Sequence, residues 1–173
     1  MGRQPVAPAD DPEALRLALR DAMAAVCTPV AVVTTMAGTR PYGTTVSAFA
    51  SLSMEPPMVL VSLDQRSGLL AEIRRTRGFG LNVLSSDQAQ LAQIFARSGA
   101  DGFATTSWVA HAGVPRLPGA TSFVVCQVPQ LIRAGDHVLV LGLVCDAETG
   151  PGSPLTYHRR AYGSHATLAD AKR

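Results

Sequence analysis

The stretch at residues 43–63, GTTVSAFASLSMEPPMVLVSL, constrains the fold more than any other part of the chain. Extended backbone directs alternate side chains to opposite faces, so one face can pack while the other forms hydrogen bonds. A solvated strand face normally carries Lys or Glu, and neither occurs in residues 43–54. The run therefore favours a strand whose backbone lies close to a flat, polar ligand. For any single serine, the water-facing side of an edge strand is the commoner role.

Read as one strand, residues 43–54 present two sets of side chains. The hydroxyl-rich face is Thr45, Ser47, Phe49, Ser51 and Ser53, and the apolar face is Ala48, Ala50, Leu52 and Met54. Pro56 and Pro57 end this strand, because proline has no N–H to donate to a sheet ladder. Residues 58–63 are wholly small or apolar and predict the next strand.

Composition sets the class of protein. A chain of 173 residues fits one domain that can bury a core, and a formal charge of +2 gives no support for nucleic acid or an anionic membrane as a partner. Cys27, Cys126 and Cys145 are odd in number and widely spaced, which predicts reduced core residues and no metal site. Residues 1–20 lack the apolar core of a signal peptide, and no run is long enough to span a bilayer. We therefore expect a cytoplasmic protein.

The order of elements predicts a mainly β fold with short helices. Asp11 caps a first helix that carries a stripe of Leu15, Leu19, Met23 and Val26. A second helix follows Ser67, with Leu69, Leu70 and Ile73 buried, and a third follows a cap at Ser86 or Asp87. Predicted strands cover residues 30–36, 43–54, 58–63, 78–84, 122–128 and 137–144, with a short extension at 154–163. This pattern is typical of a closed antiparallel β-barrel formed by residues 10–163, between a flexible leader at 1–9 and a flexible tail at 164–173.

Several catalytic signatures are missing from the sequence. GxGxxG after a strand, GxxxxGK, HExxH and GxSxG do not occur, which disfavours the dinucleotide fold, the P-loop, the zincins and the hydrolase elbow. His111 and His165 read as surface residues. His137 opens a strand directly after a turn, where an imidazole can reach a ligand pocket; pairing with Asp136 or a carbonyl is equally compatible with the spacing.

The helix start at Ser67 is the other candidate binding point. Free amides and the partial positive charge of a helix N-terminus suit an anion, and Gln65 and Arg66 come immediately before it. A phosphate could bind there, although an ordinary capped surface helix has the same sequence pattern. The segment ARSGADGFATTSW, ending at Trp108, is turn-rich and predicts the rim of a pocket.

Five segments in this order resemble the flavin reductase-like, FMN-binding split-barrel family, the small reductase components of two-component flavin monooxygenases. They are GTTVSAFASLSMEPPMVLVSL, RSGLL, FGLNVLSSDQAQLAQIFA, GDHVLVLGLV and LTYHRRAYG. The resemblance implies a six-stranded antiparallel, Greek-key-like split barrel that forms a homodimer, with the flavin near the dimer interface. It also implies reduction of FMN or FAD by NADH or NADPH and delivery of reduced flavin to a monooxygenase by diffusion.

The resemblance also implies roles for individual residues. Thr45 and the run Ser47, Ala48, Phe49, Ala50 and Ser51 would contact the flavin ring, and Asp64, Gln65, Arg66 and Ser67 its ribityl chain and phosphate. His137 would face the nicotinamide, with His158 and Arg159 as further contacts of the pyridine nucleotide. The family needs no protein nucleophile, general base or metal, because hydride passes directly from nicotinamide to flavin and the protein positions the two rings. The chain departs from many relatives at Ser98 and Gly99, where they have Lys or Glu, and at Arg160 and Ala161, where they have Gly or Asp.

Two other functions remain open at this point. The chain could bind a flavin and carry electrons without using a nicotinamide. It could also be an oxidase of the related pyridoxamine-phosphate type, which GDHVLVLG and the serine-rich run disfavour.

Overall fold

A computed structural model describes residues 11–97 and 102–167, and within them an antiparallel sheet of seven strands forms the body of the protein. The predicted leader, residues 168–173 of the predicted tail, and Ser98 and Gly99 lie outside the described residues. The elements in chain order are α1 Pro12–Ala24, β1 Thr28–Pro29, β2 Ala31–Ala37, β3 Arg40–Val46, β4 Phe49–Met54, β5 Pro57–Asp64, α2 Gly68–Thr76, β6 Gly78–Val83, α3 Ala89–Ala96, a 3₁₀ turn Gly102–Ala104, β7 Val109–His111, β8 Val114–Arg116, β9 Ser122–Ala134, β10 His137–Thr149, β11 Leu155–His158 and β12 Ala161–Ser164.

The order of the main sheet shows that it curls into a barrel. Its strands run β3-β2-β6-β9-β10-β5-β4, so β3 and β4 are at opposite edges. Only Ser47 and Ala48 separate these two strands in sequence, and the Ser62 amide donates to the Ala48 carbonyl at 2.9 Å. The two edges must therefore lie close together, as in a barrel. The predicted mainly β, antiparallel barrel is confirmed.

The prediction that residues 43–54 form one strand is wrong. The chain breaks at Ser47 and Ala48, and crosses from one edge of the sheet to the other. The alternation of faces fails with it: Phe49 packs against the core, while Ala50 and Ser51 are both exposed on β4. One expected strand becomes two, which is why the main sheet has seven strands among the described residues and not six.

Alternate side chains of β2 enter two separate cores. Ala31 and Val33 join the barrel interior, where Leu70 and Ile73 of α2 are fully buried. The predicted buried stripe of α2 is confirmed. Val30, just before β2, and Val32 face a second cluster in which α3 packs against the small sheet β1-β11-β12. Because successive side chains of β2 point to opposite faces, this one strand packs against α2 on one face and α3 on the other.

The hairpin of β9 and β10 is longer than predicted. The predicted strand ends at Val128, but β9 continues past Pro129 to Ala134. Pro129 lies where the register shifts between Leu141 and Leu143 on β10. The regular ladder is interrupted there, so the missing N–H of proline costs no ladder hydrogen bond. Gly142 lies opposite this irregularity, and a Cβ there would come within 2.6 Å of the buried Phe79 ring. The turn residues Gly135 and Asp136 then lead directly into His137.

The two outer helices begin differently from each other. The Asp11 carboxylate accepts from the amides of Glu13 and Ala14, both at 3.0 Å, which confirms the predicted cap of α1. The predicted cap of α3 at Ser86 or Asp87 is wrong, because α3 begins later, after Gln88, and has no side-chain cap. The Gln88 side chain instead accepts from the Ser85 amide and donates to the Pro118 carbonyl.

The apolar stripe of α1 has no partner within the described chain. Leu15, Leu19 and Met23 are 57%, 60% and 54% exposed, and α1 buries none of its side chains. Among the described residues, no helix has the length and apolar character needed to cross a membrane.

Candidate functional site

A cavity of about 280 Å³ opens where the chain crosses from β3 to β4. Six of the predicted site residues line it: Thr45, Ser47, Ala48, Asp64, Ser67 and His137. Thr44, Val46, Ser62 and Leu63 complete its wall. We call it the crossing cavity. The crossing cavity brings together two features of the sequence, the serine-rich run and the turn Gly135-Asp136-His137, which we call the GDH turn.

The local structure explains why this wall presents backbone and small side chains. Val46 is buried in the barrel, while Ser47 and Ala48 are exposed at the crossing. The Thr45 hydroxyl donates to the Ala92 carbonyl of α3 at 2.7 Å, so it ties β3 to that helix. The exposed crossing leaves an uncharged surface that suits a flat, heteroatom-rich ring.

A larger groove of about 750 Å³ adjoins the crossing cavity through Thr44, Asp64 and Ser67, which line both. Three arginines and three aromatic residues stand in its wall: Arg40, Arg66, Arg97, Tyr42, Phe95 and Phe103. We call it the arginine groove. The Arg40 guanidinium lies 5.1 Å from the centre of the Tyr42 ring, so a cation and an aromatic face are presented together.

The start of α2 forms the junction of the cavity and the groove. Ser67 caps the helix and its hydroxyl accepts from the Leu70 amide at 3.5 Å, as predicted. The first amides of a helix have no intrahelical acceptor, and Gly68 and Leu69 line the groove at this point. A Cβ placed on Gly68 would meet nothing within 4 Å, so the space beside these donors is open.

Arg66 neutralises the carboxylate beside this helix start. The Asp64 carboxylate accepts from the Arg66 amide at 2.7 Å and from its guanidinium at 2.9 and 3.1 Å. These hydrogen bonds hold the pKa of Asp64 well below its usual range, and the bond from the guanidinium has a larger effect than the bond from the amide. The Arg66 side chain is 89% exposed, so it can also meet an incoming anion. The junction therefore offers a net excess of donors.

His137 both pairs with Asp136 and lines a cavity, the two arrangements that the sequence allowed. Its Nδ1 lies 2.8 Å from a carboxylate oxygen of Asp136, and the ring lines the crossing cavity. The bond to His137 is the main cause that lowers the pKa of Asp136. In the β10–β5 register His137 stands directly opposite Asp64, which brings the GDH turn to the junction.

Other predicted site residues lie elsewhere within one chain. Phe49, Ala50 and Ser51 belong to β4, with Phe49 turned to the core. Gln65 bonds to the β9–β10 turn. His158 and Arg159 belong to the β11–β12 hairpin beside α1, where the Arg159 amide donates to the Ala24 carbonyl at 2.7 Å. None of these six residues is in the wall of the crossing cavity or the arginine groove.

Sequence reasoning missed part of the arginine groove. Arg97, Gly102 and Phe103 come from the turn-rich segment that predicted a pocket rim, so that prediction is confirmed for these three residues. Arg40 and Tyr42 come from the β2–β3 hairpin and had no distinguishing signal, because a hairpin arginine next to a tyrosine is usually only solvated.

Two further features lie away from this site. A groove of about 690 Å³ contains Arg77, Cys126 and Cys145, and burial raises the pKa of the Cys126 thiol to about 12, which makes it a poor nucleophile. His111, read from sequence as a surface residue, is half-buried: its Nε2 lies 2.7 Å from Asp146, and Glu148 is held by Arg116 at 2.6 Å. The carboxylates of this cluster therefore already have partners in the protein.

The residues present fit a flavin nucleotide. The exposed crossing at Ser47 and Ala48 offers an uncharged wall for the ring, and the start of α2 with Arg66 offers donors for a phosphate. These two places adjoin through Ser67, as the two ends of one ligand require.

The chain is similar to known proteins over most of its length. A family model described as a flavin reductase like domain matches residues 23–166. The chain is 40% identical over 142 residues, 82% of its length, to the reductase component of a 4-nitrophenol 4-monooxygenase/4-nitrocatechol 2-monooxygenase from Rhodococcus opacus, of which the match covers 77%. It is 36% identical over 163 residues, covering 91% of this chain and 90% of the relative, to an NADH:riboflavin 5'-phosphate oxidoreductase from Streptomyces pristinaespiralis.

A solved structure shows the same fold. An NADH:FAD oxidoreductase from Streptomyces globisporus C-1027, in complex with NAD and FAD fragments, superposes with a TM-score of 0.85. The superposition has 30% sequence identity and covers 95% of this chain and 100% of that chain.

Proposed function

The chain belongs to the family of flavin reductase-like domains, and we propose that it uses NADH or NADPH to reduce FMN or FAD and supplies the reduced flavin to a partner monooxygenase. The observation that carries the proposal is the junction at Ser67, where the crossing cavity, with its uncharged wall at Ser47 and Ala48, meets the donor-rich start of α2. An oxidoreductase of this kind has to hold a flat ring and an anionic tail side by side, and this arrangement supports both.

In this proposal each part of the site has a separate task. Ser47 and Ala48 bind the flavin ring through backbone and small side chains, and Ser67, Arg66 and the first amides of α2 bind the phosphate. A bound flavin supplies a ring that accepts a hydride. The protein adds no nucleophile, because its contribution is to hold two rings in contact and to exclude alternative geometries.

His137 is assigned to the nicotinamide side of the crossing cavity. Asp136 bonds to Nδ1, which leaves Nε2 as the ring nitrogen available to a ligand. His158 and Arg159 lie beside α1 within one chain. The proposal therefore assigns their predicted nicotinamide contacts to a site completed by a second copy.

A homodimer is part of the proposal. The support is the exposed apolar face of α1, with Leu15, Leu19 and Met23 each more than half exposed. An amphipathic helix whose apolar face is exposed normally buries that face against a partner. We further propose that the dimer works in the cytoplasm, where nicotinamide cofactors and reduced thiols occur together.

The direct test mixes purified protein with NADH and FMN, and separately with FAD, and follows the absorbance of reduced nicotinamide. Flavin-dependent oxidation of NADH or NADPH above the uncatalysed rate is expected. A protein that binds flavin without accelerating this oxidation would be an electron carrier, and the reductase proposal would be wrong. Turnover of pyridoxamine phosphate by the same preparation would instead point to the oxidase alternative.

His137→Ala tests the assignment within the site. We expect the rate of NADH-dependent flavin reduction to fall by about tenfold, the effect of losing one or two hydrogen bonds to a ligand, while the Kd of the flavin changes much less. Unchanged nicotinamide kinetics in this variant would remove His137 from the site. The flavin Kd, measured by fluorescence quenching, serves as the internal control.

A further inference from the structure

Gln65 joins the two halves of the site. Its side-chain amide donates to the Gly135 carbonyl at 2.6 Å, and its backbone amide donates to the Asp136 carbonyl at 3.0 Å. Its side-chain oxygen accepts from the Arg133 guanidinium at 3.3 Å. A single residue at the end of β5 thus holds three positions around the β9–β10 turn.

The residues that flank these contacts are the ones that face the ligand. Asp64 and Arg66, on either side of Gln65, line the arginine groove and bond to each other. His137, the residue after Asp136, lines the crossing cavity. Gln65 itself is in the wall of neither, so its side chain acts on the turn that carries His137.

The turn needs such an attachment. Arg133, Ala134, Gly135 and Asp136 are all exposed, and Gly135 has a positive φ of 61° with nothing within 4 Å of an added Cβ. Hairpin tips with few buried contacts open at low free-energy cost. Without the Gln65 side chain, the tip is held by its own ladder, by the pairing of His137 with Asp64 of β5 and by one backbone hydrogen bond.

We propose that Gln65 is a positioning residue that fixes the β9–β10 turn, and through it the His137 ring, against the loop that binds the flavin phosphate. This inference rests on the proposed function, because it takes His137 as a nicotinamide contact. It also gives the site a physical link between its two ends. A flavin that orders residues 64–67 would at the same time order the turn that meets the nicotinamide.

The test is Gln65→Leu, which removes both side-chain hydrogen bonds with little change in size. We expect kcat/KM for NADH to fall by about tenfold, the value for the loss of one to two hydrogen bonds, while the flavin Kd stays within about twofold. The matched control is Gln130→Leu on β9, an exposed glutamine of the same hairpin that makes none of these contacts. The control should leave both constants unchanged.

Gln65→Glu is the second variant. It keeps the length of the side chain and its acceptor for Arg133, but it sets a carboxylate against the Gly135 carbonyl. We expect a loss in kcat/KM at least as large as that of Gln65→Leu. Wild-type kinetics in a folded Gln65→Glu protein would overturn the proposal, and thermal unfolding shows whether the variant is folded.

A double-mutant cycle separates positioning from general stability. If Gln65 acts through His137, then Gln65→Leu in the His137→Ala background should change kcat/KM for NADH by less than about twofold. A full loss in that background would overturn the positioning role while the proposed function stands. Failure of the wild-type protein to oxidise NADH would instead overturn the proposed function.

Discussion

At the scale of single residues, the site depends on a carboxylate whose negative charge is balanced by a neighbouring arginine. Asp64 accepts three hydrogen bonds from Arg66, and its pKa is therefore well below the usual range. A carboxylate without this partner would leave negative charge beside the proposed phosphate site. The Asp64–Arg66 pair therefore reduces the repulsion that Asp64 alone would exert on a bound anion.

Asp64→Asn tests this pair through the pH dependence of stability. A carboxyl whose pKa is lower in the folded state than the unfolded value of about 3.9 stabilises the fold above that pH, and the contribution is lost as pH falls toward the folded pKa. We expect Asp64→Asn to lower the free energy of unfolding above about pH 4, with a difference from wild type that shrinks at lower pH. Denaturant unfolding over a pH series measures this.

Asp87→Asn is the matched control for the pH series. Asp87 is exposed and outside the site, so its difference from wild type should be small at every pH. A pH-independent deficit in Asp64→Asn would mean that the asparagine disturbs packing and that the charge of Asp64 contributes little. High salt should reduce the Asp64 effect, because Arg66 is largely exposed.

At the scale of elements, most helices and strands could be predicted because their signals are local. The β-branched run in β2, the cap at Ser67 and the GDH turn each depend on a few neighbouring residues. The break at Ser47 and Ala48 could not be predicted, because the two halves of the run pair with β2 and β5, strands that are distant in sequence. Local alternation cannot reveal a change of partner strand.

The arginine groove was only partly predictable for the same reason. Its wall combines the β2–β3 hairpin, the start of α2 and the segment after α3, which meet only once the barrel has closed. Ser67 and Arg66 had a helix-start signal, while Arg40 had none. The start of α3 was mispredicted because Gln88, which bonds to Ser85 and Pro118, depends on a loop 30 residues further along the chain.

The β11–β12 hairpin carries a conformational cost at its turn. Arg159 and Arg160 have φ values of 47° and 65°, the left-handed region that two-residue hairpin turns require and that glycine or asparagine usually supplies. We expect Arg160→Gly to be more stable than Arg160→Ala by about 0.5–1 kcal/mol, the Cβ cost of this region less the extra unfolded entropy of glycine. Denaturant unfolding of both variants measures the difference.

The comparison with alanine is needed because Arg160 also pairs with Asp21 at 3.3 Å. Both variants lose this exposed ion pair equally, so their difference reports on the backbone alone. If the alanine variant were as stable as the glycine variant, the turn would be free of strain at this position.

At the scale of the whole molecule, one chain accounts for the crossing cavity but leaves two features without a role. The apolar face of α1 is exposed and covers nothing in residues 11–97 and 102–167, and the β11–β12 turn next to it carries His158 and Arg159. The Arg159 amide bonds to the last residue of α1, so the helix and the turn form one surface. A second copy packed on α1 would therefore also approach the predicted nicotinamide contacts.

Replacing Leu15 and Leu19 together by Glu tests this arrangement. Burial of a leucine side chain stabilises by about 1.5–3 kcal/mol, and twofold symmetry counts each position twice. We therefore expect wild type to have twice the 18.1 kDa chain mass in solution and the variant to dissociate at concentrations about ten-thousandfold higher or more. Light scattering with size-exclusion chromatography measures both masses.

Arg20→Glu is the control for this pair, because it changes charge on the same helix without removing apolar surface. Since no side chain of α1 is buried within the described part of the chain, the double variant should keep the near-ultraviolet signal of its folded core. If the site is completed at the interface, kcat/KM for NADH should fall with the dimer fraction as the protein is diluted. A variant that stays dimeric and fully active would exclude the apolar face of α1 as the interface, and the nicotinamide assignments of His158 and Arg159 would lose their support with it.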